Sequence, residues 1–214
     1  MSRWSRVLVV ALLGAPSTVA AQADSSRWEI RQGDQVIGEE VVRRTPTTIA
    51  GTLRITRGAT PVRQQWSVVL APEGTVPLAE VTVLEERSDP REKPRIVSRN
   101  RVIFKDDSVA VDAMTSNGLV TRLFATTPGA VPYLNLSFGM LEPAIGLARR
   151  AGGTASVPFF NLGGGQTVTG LVTREADDRW RLELGGVTFE LHADAEGRLT
   201  GGGIPGQGLA LERR

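Results

Sequence analysis

VPYLNLSFGMLEPAIGLARRA, Val131 to Ala151, is the stretch whose rhythm differs from everything around it. Leu134, Phe138, Leu141, Ile145 and Ala148 recur at spacings of four, three, four and three, which puts them on one face of an α-helix. An apolar helix face must be buried, so the rest of the chain is expected to wrap around it. Ser137 can cap the start by offering its hydroxyl to a free backbone N–H, Arg149 and Arg150 suit the negative end, and Gly152 suits a left-handed stop. Pro143 is compatible with a helix only in its first turn, so the helix, expected at about 137–150, either kinks there or starts near Glu142.

Outward from this segment the period is two. Trp28 and Ile30 alternate with Glu29 and Arg31, and Gly33-Asp34 offers a turn before Val36 to Val42. Ile49, Leu53 and Ile55 share a face, as do Val62, Trp66, Val68 and Leu70. Strands follow over Leu78 to Glu86, Arg95 to Lys105, Val109 to Met114 and Leu119 to Ala125, with Asn117-Gly118 as the strongest hairpin signal. After the helix come Thr154 to Leu162, Gln166 to Arg174, Arg179 to Leu184, Val187 to Ala193, Arg198 to Ile204 and Gln207 to Leu211. About a dozen short strands joined by tight turns, eight of them before the helix, make the chain mainly β: a strongly curved antiparallel meander, half-barrel or barrel, packed around one helix.

Residues 1–23 have the layout of a secretory signal peptide: Arg3 and Arg6, an apolar run from Val7 to Leu13, and small residues up to Ala21-Gln22-Ala23. That run is much shorter than the ~20 residues a spanning helix needs, so a periplasmic or secreted domain over 24–214, not membrane-spanning after cleavage, is expected. Arg3 and Arg6 are the only charged residues removed, which leaves 23 basic and 23 acidic side chains. A formally neutral domain has no electrostatic claim on nucleic acid. The chain has no cysteine, hence neither disulfides nor thiolate metal sites.

Tests for chemistry yield little. Gly201, Gly203 and Gly206 spell G-x-G-x-x-G, but only eight residues follow and Pro205 interrupts, so the pattern reads as a turn. Asn135 to Gly139 resembles half of a nucleophile elbow, yet the single histidine, His192, alternates away from Phe189 and Leu191 toward solvent. The paired acids Glu39-Glu40, Glu85-Glu86, Asp106-Asp107 and Asp177-Asp178 place neighbouring side chains on opposite faces or in turns. Glu142 stands apart because it lies near the apolar helix face. No catalytic, metal or cofactor set emerges.

The segments GGVTFELHADAEGRLTGGGIPGQGLALERR, VPYLNLSFGMLEPAIGLARR and WEIRQGDQVIGEE resemble those of uncharacterised exported bacterial β-rich proteins. Their architecture is similar to periplasmic lipoprotein carriers and related half-barrel lipid binders. The resemblance implies a non-enzymatic envelope role with an apolar cleft. The expected function is therefore binding of a lipid or acyl chain between curved sheet and helix, lined by Trp66, Phe104, Phe124, Leu134, Phe138, Leu141 and Ile145. The alternative is a structural or protein-interaction module of the envelope, whose mark would be an exposed apolar patch or open sheet edge. A carboxylate-dependent hydrolase comes third and requires two carboxylates facing each other across a cleft.

Overall fold

The structure, a computed structural model, describes residues 24–58, 60–87, 89, 91–115 and 118–214. The segment read as a signal peptide and the Asn117 of the hairpin signal lie outside them. Eight strands run before the helical segment in consecutive order: β1 (Asp24–Gln32), β2 (Gln35–Arg44), β3 (Thr48–Ile55), β4 (Val62–Val69), β5 (Leu78–Glu85), β6 (Arg95–Phe104), β7 (Ser108–Thr115) and β8 (Gly118–Ala125). A short β9 (Val131–Tyr133) precedes a 3-10 turn, Gly139–Leu141, and the helix α1 (Glu142–Arg150). Then come β10 (Thr154–Asn161), β11 (Thr167–Arg174), β12 (Arg179–Leu184), β13 (Val187–Ala193), β14 (Leu199–Ile204) and β15 (Leu209–Arg213).

All fifteen strands form one sheet in the order β8-β7-β6-β5-β4-β3-β2-β1-β15-β14-β13-β12-β11-β10-β9. Neighbours in the sheet are consecutive in the chain and antiparallel except for β9 and β10, and the first strand joins the last, Trp28 lying opposite Arg213 and Ile30 opposite Leu211. A sheet this wide cannot stay flat, because twist accumulates from strand to strand. It curls around α1, and among the described residues its two ends approach each other without joining the ladder. The rings of Phe124 on β8 and Phe160 on β10 lie 5.7 Å apart, and the hydroxyls of Thr126 and Thr167 meet at 2.8 Å.

The alternation read from the sequence is realised where the sheet surrounds the helix. Trp180, Leu182 and Leu184 are buried while Arg179, Arg181 and Glu183 face solvent. Trp28, Ile30, Val42, Leu53, Trp66 and Val68 meet Met140, Leu141, Ala144, Ile145 and Ala148 in one contiguous core. Close approach demands glycine where Trp66 packs against the helix entrance: a Cβ on Gly51 would overlap the Trp66 indole, and one on Gly139 would overlap Val42 Cγ2.

Two readings change at the helix entrance, and the alternative left open at Pro143 is decided. Val131–Tyr133, included in the stretch of helical rhythm as the lead-in to the helix, is a strand, and it pairs with β10 in parallel. The helix is thus the crossover of a β-α-β unit, which a parallel pair requires. Ser137 makes no side-chain cap to the helix; its hydroxyl is turned to Glu40 instead. Pro143 lies in the first turn of α1, following the 3-10 turn, so its missing N–H costs no helical hydrogen bond. The C-terminal stop is as expected, with Gly152 at φ 86° and the Gly153 N–H on the Ala148 carbonyl at 2.8 Å.

Candidate functional site

Two regions of the molecule carry features beyond packing. The first is the anchorage of the helix. On β2 the inward face of the strand holds Glu40, Val42 and Arg44, all buried. Glu40 lies opposite Trp28 in the ladder, so its carboxylate enters the barrel. One of its oxygens accepts the backbone N–H groups of Phe138 (2.9 Å) and Gly139 (3.1 Å), and the other takes the Ser137 hydroxyl at 2.6 Å. These are the free donors at the start of the helical segment, so a carboxylate from β2 caps it. Burial dominates over these bonds and pushes the Glu40 carboxyl up to about 7. Because the Ser137 hydroxyl can reverse, a neutral Glu40 can donate to it while its other oxygen keeps both backbone bonds.

Arg44 and Glu142 form the second anchor. The guanidinium meets the carboxylate in a two-pronged bond at 2.7 and 2.5 Å, and the same carboxylate accepts the Leu199 N–H at 3.0 Å. Arg44 also donates to Ser26 Oγ at 3.0 Å and lies over the Trp28 ring. Burial raises the Glu142 carboxyl, opposed by the hydrogen bond and charge of Arg44. This pair ties β2, the helix and β14 together at the barrel mouth, beside a cavity of about 420 Å³ bordered by Asp24, Glu142, Gly146, Arg150 and Arg198. Both glutamates are thus saturated with donors, an arrangement suited to holding a helix. Among the described residues no group of three or more His, Cys, Asp or Glu gathers as a metal site. His192 is exposed.

The second region is the free end of the sheet. Beyond Phe104 and Phe124 the core thins: half of β6 and nearly all of β8 is exposed, and β7 between them is largely half-buried. The outward side chains Leu119 and Leu123 of β8 are 62% and 72% exposed, and Met114 of β7 beside them is 55% exposed. The inner face, with Asn100, Val111, Ala113, Val120, Arg122 and Phe124, faces Phe160, Leu162 and the turn Gly163 to Gly165 across a cleft of about 320 Å³. The Thr126 N–H bonds to the Asp107 carbonyl of the adjoining strand end. By the alternation of an antiparallel ladder, even-numbered residues of β8 turn their backbone to β7, and Leu119, Thr121 and Leu123 turn theirs to the open edge.

The residues expected to line a ligand are divided between these regions. Trp66, Leu134, Phe138, Leu141 and Ile145 are buried in the contiguous core that holds the helix. Phe104 and Phe124 are partly buried against it. Of the seven, Phe124 borders the seam cleft. The sequence reading set Glu40 aside as half of an adjacent acid pair and passed over Arg44, although a signal existed: both are in phase with buried Val42 on β2. The open edge had a signal too, since LVTRLF is apolar on both of its faces while one helix can cover only one.

No protein-family model matches this chain, and no curated protein sequence matches it. Two solved structures resemble it. A DUF1089 family protein from Pseudomonas aeruginosa is 14% identical, with a TM-score of 0.54 over 95% of this chain and 98% of that one. A beta-barrel-like protein of the domain of unknown function DUF1849 from Brucella abortus is 10% identical, with a TM-score of 0.52 over 90% and 95% of the two chains. At these identities the likeness is one of fold: this chain is a β-barrel-like protein of the same architecture.

Proposed function

We propose that this protein is an exported, non-enzymatic interaction module of the cell envelope, in which the helix fills the barrel and the β6 to β8 flap receives an extended strand of a protein partner. The observation that carries the reading is the open edge of β8, where outward-turned backbone groups lie beside exposed Leu119 and Leu123. Edge strands are ordinarily blunted by lysine, proline, bulges or a cover, and strand addition supplies main-chain hydrogen bonds with side-chain selectivity. Export is supported by the layout of residues 1–23. The buried carboxylates support a structural role, each being held by several donors. The test is a photoreactive side chain introduced at position 121 in the exporting host, with position 192 on the packed half as control. Protein adducts are expected at 121 and not at 192; equal labelling at both, or none at 121, contradicts the reading.

A second reading is favoured by the seam cleft. Val120, Phe124, Phe160 and Leu162 offer an apolar lining, with Arg122 and Asn100 available to a polar head. An acyl chain held there would be the lipid-carrier behaviour that the resemblance implies. Native mass spectrometry with lipid extraction, on protein purified from the periplasm, decides it: a co-purified acyl species lost on Val120→Asp supports the cleft, and a bare mass opposes it.

A further inference from the structure

We propose that the partner of the β8 edge is a second copy of this chain, paired strand to strand across a twofold axis at Thr121; this rests on the edge reading above. The backbone alternation fixes which residues can bond. Leu119, Thr121 and Leu123 present the free N–H and C=O groups, so an antiparallel pair of β8 strands must match odd-numbered residues with odd-numbered ones. With Thr121 opposite Thr121 of the second copy, Leu119 meets Leu123 of the second copy, and Leu123 meets Leu119. The exposed leucines then form one apolar stripe on the outer face, each burying surface the monomer leaves in water.

The inner face selects the same register. Arg122 is the single charged residue of β8, and in this register it lies opposite Val120 of the second copy, over which its aliphatic stem can lie. A slip of the pairing that centres the axis on Arg122 sets two guanidinium groups face to face, a destabilising like-charge pair. Thr121 donates its hydroxyl to Asp112 on β7 at 2.7 Å, so the threonines at the axis are held by their own chains. The edge is thus complementary to itself in hydrogen bonding, apolar contact and charge, as an isologous interface requires. Nothing in its sequence, GLVTRLFA, is a lysine or a proline that would discourage pairing.

The test is sedimentation equilibrium of the exported chain across the micromolar range, on wild type and three variants. Wild type is expected at twice the chain mass. Thr121→Pro removes an outward N–H, leaves the ladder to β7 intact and is expected to be monomeric; circular dichroism checks that it folds. Leu123→Lys is expected to weaken association at least tenfold. Adding Leu119→Glu to it should restore the dimer, because the pairing sets the carboxylate introduced at position 119 of each copy against the ammonium introduced at position 123 of the other. A monomeric wild type, a dimer indifferent to Thr121→Pro, or a failed rescue each overturns the inference. The photoadduct at position 121 separates the two claims: an adduct of twice the chain mass supports both, an adduct with a different protein keeps the edge reading and rejects the second copy, and no adduct rejects both.

Discussion

The helix-bearing part of the barrel and the β6 to β8 flap are one continuous sheet, yet they handle their surfaces in opposite ways. Around α1 the strands bury one face completely, and even charged groups are admitted once each has partners, as Glu40 and the Arg44–Glu142 pair show. In the flap the ladder continues with the same regularity, but β8 is exposed along nearly its whole length, apolar residues included. The difference lies in what covers the strands. One helix of nine residues can fill the concavity of only part of a fifteen-strand sheet. A long meander with a single helix leaves strands over, and these become its available surface.

The largest expected effect is on the anchored side. Arg44→Ala leaves Glu142 buried without its cation and is predicted to cost about 3–5 kcal/mol in urea unfolding, whereas Arg44→Met with Glu142→Leu should cost far less, because both charges leave together. If the single and double variants cost the same, the pair is not what fastens the helix. Ile145→Ala, which removes a fully buried side chain from the helix face, should cost about 2–5 kcal/mol. A cost near zero would mean that the helix is loosely seated.

Glu40 predicts a pH dependence of unusual sign. Its carboxyl is raised in the folded chain from about 4.5 to about 7, so between these values the folded state holds a proton that the unfolded state has released. This contribution is fully present below pH 4.5 and is lost as pH rises through 7, on the order of 3 kcal/mol in all. Half-buried Glu39 and Glu86, lowered chiefly by their bonds to Arg27 and Arg54, act in the opposite direction and only at lower pH. Subtracting the profile of Glu40→Gln from that of wild type isolates the buried group. A flat difference between pH 5 and 8 would show that Glu40 titrates as an ordinary carboxylate.

The smallest effect belongs to the flap. Leu123→Ala is expected to change the stability of the monomer by no more than about 0.5 kcal/mol, since the side chain touches little. A large loss would place Leu123 in a core and remove the contrast between the two regions.

Much of this arrangement could be read before the structure. The strand over 179–184, with Trp180, Leu182 and Leu184 inward, and the glycine turns follow from period and backbone chemistry alone, whereas Pro143 left two helix starts open, of which the structure has the one at Glu142. β9 could not be separated from the helix, because three residues are too few to show a period of their own and Val131 extends the apolar rhythm. The capping of the helix by Glu40 was hidden for a different reason. It joins residues 97 to 99 positions apart, and only the curl of the sheet brings them together. Ser137, the local candidate, was available to Glu40 once that carboxylate supplied the acceptor. The open edge was half legible: a strand apolar on both faces stands in the sequence, but which strands the helix leaves uncovered depends on where the sheet stops.

Amide hydrogen exchange read residue by residue on the dilute monomer tests the central claim most directly. Amides of α1 and β2 are predicted to exchange only through global unfolding, while those of Leu119, Thr121 and Leu123 exchange close to the rate of an open chain. Slow exchange at those three positions in the monomer, or subglobal opening of α1 before the flap, would contradict it.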